Sequence, residues 1–321
     1  MKIAILDDYQ DVVKTLACFE LLGGHEVQIL NDTEKDPTLL ATKLRDVEAL
    51  VLIRERTTIT AALLKQLPNL KLISQTGKIA GHLDLEACNS YNVAVAEGVG
   101  SPVAPAELTW LLLMNTLRQL PNAIAAMKAG NWQTNMGTSV YGKTIGIWGY
   151  GKIGKLVANY AKAFGAMVLV WGSEQSRANA IADGFEAAPS KAVFFSEADV
   201  VTLHLRLNEQ TMAIVKASDL ALMKPTAVLI NTARAELLAS GALLKCLKAG
   251  RSGFAGIDVY ENEPVKNANF ELLTLPNVVC TPHLGYVEQN SYELYFGKAF
   301  ENVVNYSKGR PTHIVNPEVL K

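Results

Sequence analysis

Short runs of Val, Ile, Leu and Ala recur along this chain, separated by longer stretches in which apolar positions return every three or four residues. The runs at 2–6, 26–30, 49–53, 70–74 and 93–95 predict strands, with helices between them such as 10–22 and 61–66. Several runs are continuously apolar, the pattern of strands covered on both faces. After a turn-rich segment, Glu97-Gly98-Val99-Gly100-Ser101-Pro102, a long apolar helix is predicted over 105–129. A second series of strands follows at 144–148, 167–171, 200–203, 227–230, 253–257 and 278–280, and an amphipathic helix over 287–308 closes the pattern. Alternating strands and helices predict an α/β chain of two doubly wound parallel-sheet domains. Because the second series ends before the chain does, the closing helix can return to the first domain.

Composition agrees and narrows the function classes. A chain of 321 residues suits two domains of roughly 100–200 residues each. The net charge is −1 with Lys and Arg scattered, so no basic stripe favours a nucleic acid. The apolar run after Met1 is too short for a signal segment, and no stretch approaches the ~20 apolar residues of a membrane span. Cys18, Cys88, Cys246 and Cys280 show no paired spacing, which suits reduced thiols and a cytoplasmic setting. The five histidines lie far apart, and no motif points to a metal.

The sharpest local signal is Gly149-Tyr150-Gly151-Lys152-Ile153-Gly154, a GxGxxG run between the strand at 144–148 and a helix beginning at Lys152. In that context Gly149 allows a tight turn, Gly151 the close approach of a pyrophosphate, and Gly154 close packing of helix on strand. The helix N-terminus offers N–H groups and partial positive charge to phosphates. The next strand ends in Trp171-Gly172-Ser173-Glu174. An acidic residue usually reads the ribose about here. Counting nominates Glu174, whereas register nominates Gly172, which has no side chain. Ser173 and Arg177 would suit a 2′-phosphate, so the cofactor is NAD(H) or NADP(H), with a lean to NADP(H).

Three more segments each end a strand of the second series: Asn231-Thr232-Ala233-Arg234, Asp258-Val259-Tyr260-Glu261-Asn262-Glu263-Pro264, and Thr281-Pro282-His283-Leu284-Gly285. In an open parallel sheet, carboxyl ends of strands face the ligand crevice. An Arg, a carboxylate and a His delivered to one edge are what reduction of a keto acid requires.

With these motifs in this order, the chain resembles the D-isomer specific 2-hydroxyacid dehydrogenase family over nearly its whole length. The resemblance implies a nucleotide-binding Rossmann domain (101–286) inserted in a flavodoxin-like substrate domain (1–100 and 287–321). It implies a nicotinamide cofactor, a small 2-keto or 2-hydroxy acid as substrate, and a homodimer joined through the nucleotide-binding domain. By the same likeness Arg234 binds the substrate, His283 is the acid/base, Glu263 pairs with it, and Asp258 meets the nicotinamide carboxamide. Thr232, Ala233, His204 and Arg206 would line the cofactor groove. Arg54 and the loop Gly77-Lys78-Ile79 would bind substrate, the loop through backbone N–H groups. Two departures stand out. Relatives carry Gly-Val-Gly after the first glycine of that loop, where this chain has Lys78-Ile79-Ala80, and they carry Pro where it has Arg206. A formate-type dehydrogenase pairs its His with Gln, so Glu263 argues against that branch. A nucleotide-sensing corepressor-like protein on the same fold is the alternative outside catalysis.

Overall fold

A computed structural model describes residues 1–250 and 253–320; Arg251, Ser252 and Lys321 lie outside that description. The chain forms two compact units, Met1–Ser101 with Glu288–Lys321, and Pro102–Val287.

In the first unit five parallel strands, β1 (Lys2–Ile5), β2 (Glu26–Ile29), β3 (Ala49–Leu52), β4 (Leu72–Gln75) and β5 (Ala94–Ala96), lie in the order β2-β1-β3-β4-β5. β3 and β4 are buried at every position, as strands covered on both faces must be. The closing helix, Gln289–Ser307, belongs to this unit and buries Tyr292, Tyr295, Phe296, Phe300 and Val303. Ser74 in β4 donates to the Ala299 carbonyl at 2.8 Å.

Residues 10–22 do not form the expected helix. They make two short 3₁₀ turns, Val13–Thr15 and Ala17–Leu22, with Leu16 extended between them. Side-chain acceptors take amides along this stretch. Asp8 accepts from Val12 and Val13, and Glu293 accepts from Ala17 and Cys18.

The second unit holds seven parallel strands: β6 (Thr144–Trp148), β7 (Met167–Trp171), β8 (Glu186–Ala187), β9 (Val200–Leu203), β10 (Val228–Asn231), β11 (Phe254–Ile257) and β12 (Val278–Cys280). Their order is β12-β11-β10-β9-β6-β7-β8. β8, two residues long, had no apolar run to announce it. The chain leaves β6 toward β7 and β8 and resumes on its other side at β9, so a topological switch point lies at the carboxyl ends of β6 and β9.

The long apolar segment after Pro102 is two helices rather than one, Val103–Arg118 and Leu120–Lys128. Gln119 between them is left-handed, φ 50° and ψ 38°. Pro121 sits in the first turn of the second helix, where its missing N–H costs nothing; within a continuous helix it would break the ladder. Among the described residues no helix is long and apolar enough to cross a membrane.

Candidate active site

The glycine run in the second unit joins β6 to the helix Lys152–Ala163. Gly149 has φ +102°, and a Cβ there would lie 2.7 Å from the His204 carbonyl oxygen. A Cβ on Gly154 would meet the Gly149 oxygen at 2.1 Å, so the helix can rest on the turn only because that position is bare. Gly151 differs: a Cβ on it would meet nothing within 4 Å, and its φ is −90°. Nothing in the protein requires glycine there, which is what a ligand approaching that backbone would require. No side chain caps the helix N-terminus, leaving its first amides to an incoming anion.

Tyr150 is placed by the fold rather than by a ligand. It is buried, its ring lies edge-on to Phe185, and its hydroxyl donates to Asp183 at 2.9 Å. Its side chain is thus engaged within the protein, and its backbone forms part of the turn. Lys152 and Ile153 open the helix.

β7 ends at Trp171, and Gly172 follows with φ +151°. Ser173 caps the helix Glu174–Ala182, accepting from the Ser176 amide at 3.2 Å, so Glu174 is already the first helical residue. The Arg177 guanidinium lies 4.9 Å from the Trp171 ring centroid, and its buried Nε has no hydrogen-bond partner among the described residues. Past β9, His204 Nε2 is 3.1 Å from Thr202 Oγ1, and burial pushes the imidazole pKa down to about 4. Arg206 is exposed.

The ends of β10, β11 and β12 deliver the charged groups. Buried Asn231 shapes the turn that carries Arg234: its side chain donates to the Arg234 carbonyl and accepts from the Ala233 amide. Thr232 Oγ1 lies 2.7 Å from Thr109 Oγ1. The Arg234 guanidinium donates to the Ala233 carbonyl at 2.6 Å. Asp258 is fully buried and accepts from Thr281 Oγ1, Leu284 N–H and Gly285 N–H at 2.7, 2.7 and 2.9 Å. Burial raises its pKa despite those donors. The carboxylate thus pins both sides of His283, which itself sits at φ 52°.

His283 Nδ1 is 2.7 Å from Glu263 Oε2, while Glu263 Oε1 accepts from the Tyr260 amide at 2.9 Å. Burial acts to raise the Glu263 pKa, but the His283 hydrogen bond and charge, with Arg234 beyond, hold it below the usual carboxylate range. A carboxylate accepting at Nδ1 makes that nitrogen the N–H, and Nε2 makes no hydrogen bond among the described residues. Tyr286, buried, sets its ring edge-on to the imidazole at 5.4 Å between centroids.

In the first unit, Arg54 follows β3 in a left-handed conformation, φ 52°. Its guanidinium lies where a side chain on Gly77 would be: a Cβ there would come 2.0 Å from one terminal nitrogen. Of the three loop amides, that of Ile79 donates to Glu97 Oε1 at 3.0 Å, while Lys78 Nζ meets Glu97 Oε2 at 2.5 Å. The Gly77 and Lys78 amides donate to no acceptor among the described residues.

Residues 110–285 match the model of the D-isomer specific 2-hydroxyacid dehydrogenase NAD-binding domain. A glyoxylate reductase of Thermococcus litoralis is 32% identical over 309 residues, 92% of this chain and 92% of that protein. The chain belongs to the D-isomer specific 2-hydroxyacid dehydrogenase family. A D-3-phosphoglycerate dehydrogenase of Methanocaldococcus jannaschii is 33% identical over 95% of this chain and 59% of its own length. Among solved structures, a phosphoglycerate oxidoreductase from Vibrio cholerae O395 shares 54% identity with a TM-score of 0.94, covering 96% of this chain and 99% of that one.

As a family member this dehydrogenase is an oxidoreductase of 2-hydroxy and 2-keto acids that uses a nicotinamide cofactor. Its residues fit such a cofactor: Gly151 leaves the space a pyrophosphate needs, and the helix behind it has uncapped amides. Among the described residues no group of three or more His, Cys, Asp or Glu could hold a metal. The sequence carried no sign that Glu97 would meet the 77–79 loop or that Tyr286 would pack on His283. Both contacts come from side chains meeting across a loop, and neither residue stands in a motif. Nor did spacing reveal that Asp258 braces the His283 loop, because the three donors lie 23 to 27 residues away.

Proposed function

We propose that this dehydrogenase reduces a small 2-keto acid to its D-2-hydroxy acid with His283 as proton donor. The observation that carries this reading is the His283–Glu263 contact at 2.7 Å, which turns Nε2 outward in the unit that holds the glycine turn. Glu263 fixes the tautomer and holds the ring in place. From Nε2 the imidazolium passes a proton to the carbonyl oxygen of the substrate. The planar guanidinium fork of Arg234 suits both the carboxylate and the carbonyl of a 2-keto acid. When bound, a reduced nicotinamide supplies the hydride. The Gly77 and Lys78 amides are the groups we assign to the substrate carboxylate, with Arg54 beside them.

For the cofactor we read NADP(H) as accepted at least as well as NAD(H). No carboxylate stands at Gly172 to repel a 2′-phosphate, and Arg177 is held on Trp171 one residue before it with its Nε unpaired. Exposed Leu111, Leu120, Ile124, Met127, Trp132 and Met136 support a homodimer through the second unit.

The test is oxidation of NADH and NADPH with a panel of 2-keto acids, wild type against His283→Ala. Loss of a general acid should slow reduction by roughly 10²–10⁴-fold, with cofactor affinity kept within about twofold. Near-normal turnover of the variant would overturn the assignment. No turnover by wild type with any acid would favour the nucleotide-sensing alternative.

A further inference from the structure

In the first unit the segment after β5 lies directly on the loop after β4. The Gly98 amide donates to the Gly77 carbonyl at 2.8 Å, and a Cβ on Gly98 would strike Gln75 O at 2.5 Å and Gly77 N at 2.7 Å. This contact carries Glu97 to the loop. One Glu97 oxygen accepts from the Ile79 amide and the other meets the Lys78 ammonium. The Glu97 side chain is 17% exposed, whereas that of Lys78 is 68% exposed. An ion pair so open to water adds little to folding. Its position is what sets it apart, because a carboxylate has been placed beside the two amides we assign to the substrate's carboxylate.

We infer that Lys78 and Glu97 act together as a positioning and specificity element of the carboxylate-binding loop. Glu97 fixes the loop through the Ile79 amide, which leaves the amide of exposed Lys78, next to that of buried Gly77, without an acceptor among the described residues. Lys78 cancels the charge that Glu97 would otherwise set against an approaching 2-keto acid. A second cation, Arg54, also stands at the loop. Arg54 lies over Gly77 on the β3 side, where its Nε is 3.8 Å from the Glu55 carboxylate. Lys78 is the cation that touches Glu97.

This inference rests on the oxidoreductase reading and on loop 77–79 as the carboxylate site. The experiment compares wild type, Lys78→Met, Glu97→Gln and the double variant in steady-state reduction of glyoxylate and pyruvate. Lys78→Met leaves the Glu97 charge uncompensated, and KM for the keto acid should rise roughly fivefold to tenfold, as expected of one unit charge a few ångströms away in a partly screened setting. That rise should shrink with added salt, while kcat falls less than about threefold. In the double variant the neutral amide side chain at position 97 still accepts from the Ile79 N–H, so KM should return to within about twofold of wild type. An unmoved KM in Lys78→Met, or a raised KM that Glu97→Gln does not rescue, overturns the pair's role while wild-type turnover keeps the oxidoreductase reading intact. A wild type that reduces neither acid overturns that reading and the inference with it.

Discussion

His283 Nδ1 lies 2.7 Å from Glu263 Oε2, and this single contact decides which nitrogen of the imidazole faces outward. The Glu263 carboxyl is held below its ordinary range, so it is ionised throughout the neutral region. Replacing it with Gln keeps an acceptor for Nδ1–H but removes the carboxylate charge beside the ring. We expect keto-acid reduction by Glu263→Gln to fall by roughly 10–100-fold, part of what a general acid contributes, with KM changed less than about threefold. The assay is steady-state reduction at neutral pH. A variant with full turnover would show that the charge of Glu263 is dispensable.

Gly151 and Gly154 should respond differently to the same substitution. A methyl at Gly154 would press on the Gly149 oxygen, so Gly154→Ala should lower stability by about 1–3 kcal/mol through overpacking. At Gly151 a methyl meets only open space, so Gly151→Ala should unfold like wild type yet bind the nicotinamide cofactor several-fold more weakly. Denaturant unfolding and cofactor titration separate the two effects. Equal cofactor affinity in Gly151→Ala and wild type would mean that no pyrophosphate approaches that backbone.

His204 makes stability depend on pH. Its native pKa is pushed to about 4 from an ordinary value of 6.5. Between those values the unfolded chain binds a proton that the native state refuses, so stability falls as pH drops below 6.5 and is unaffected above it. From about pH 7.5 to about pH 4.5 this one group should cost about 2–3 kcal/mol. His204→Gln should lose less over that interval. Urea unfolding at the two pH values tests this, and an identical pH loss in both proteins would remove His204 as its source.

Arg177 tests the cofactor reading better than Gly172 does. The backbone at Gly172 has φ +151°, and a Cβ there would lie 3.3 Å from Ser176 Cβ, so Gly172→Asp mixes strain with charge. Arg177→Met keeps an apolar stem on Trp171 and removes the guanidinium. Its kcat/KM with NADPH should fall by roughly tenfold or more, the loss of a charge-assisted contact, while that with NADH stays within about twofold. An equal effect on both cofactors would exclude Arg177 as the reader of a 2′-phosphate.

The sequence by itself determined most of this architecture. The strands at 144–148, 167–171, 200–203 and 278–280 have the limits that their apolar runs predict. The near-continuous burial of 144–148 and 200–203 is what their unbroken apolar runs announce. The glycine turn and the order of Arg234, Glu263 and His283 were legible too, because short motifs at strand ends carry local chemistry. Wherever a distant acceptor competed for local amides, the reading failed. Within residues 10–22 the amides of Ala17 and Cys18 go to Glu293, far along the chain. The helix after Pro102 broke for a local reason instead, ahead of Pro121.

Tertiary structure alone decided what each side chain does. It buried Tyr150, gave Asp258 the loop of His283 to hold, and took the Ile79 amide for Glu97. It also decided which of Gly172 and Glu174 follows β7, since the Ser173 cap places Glu174 inside the next helix. The physical reason is common to these cases. Spacing along the chain fixes which face of a strand or helix a residue occupies. A contact between side chains on separate segments depends on where packing has brought their two backbones.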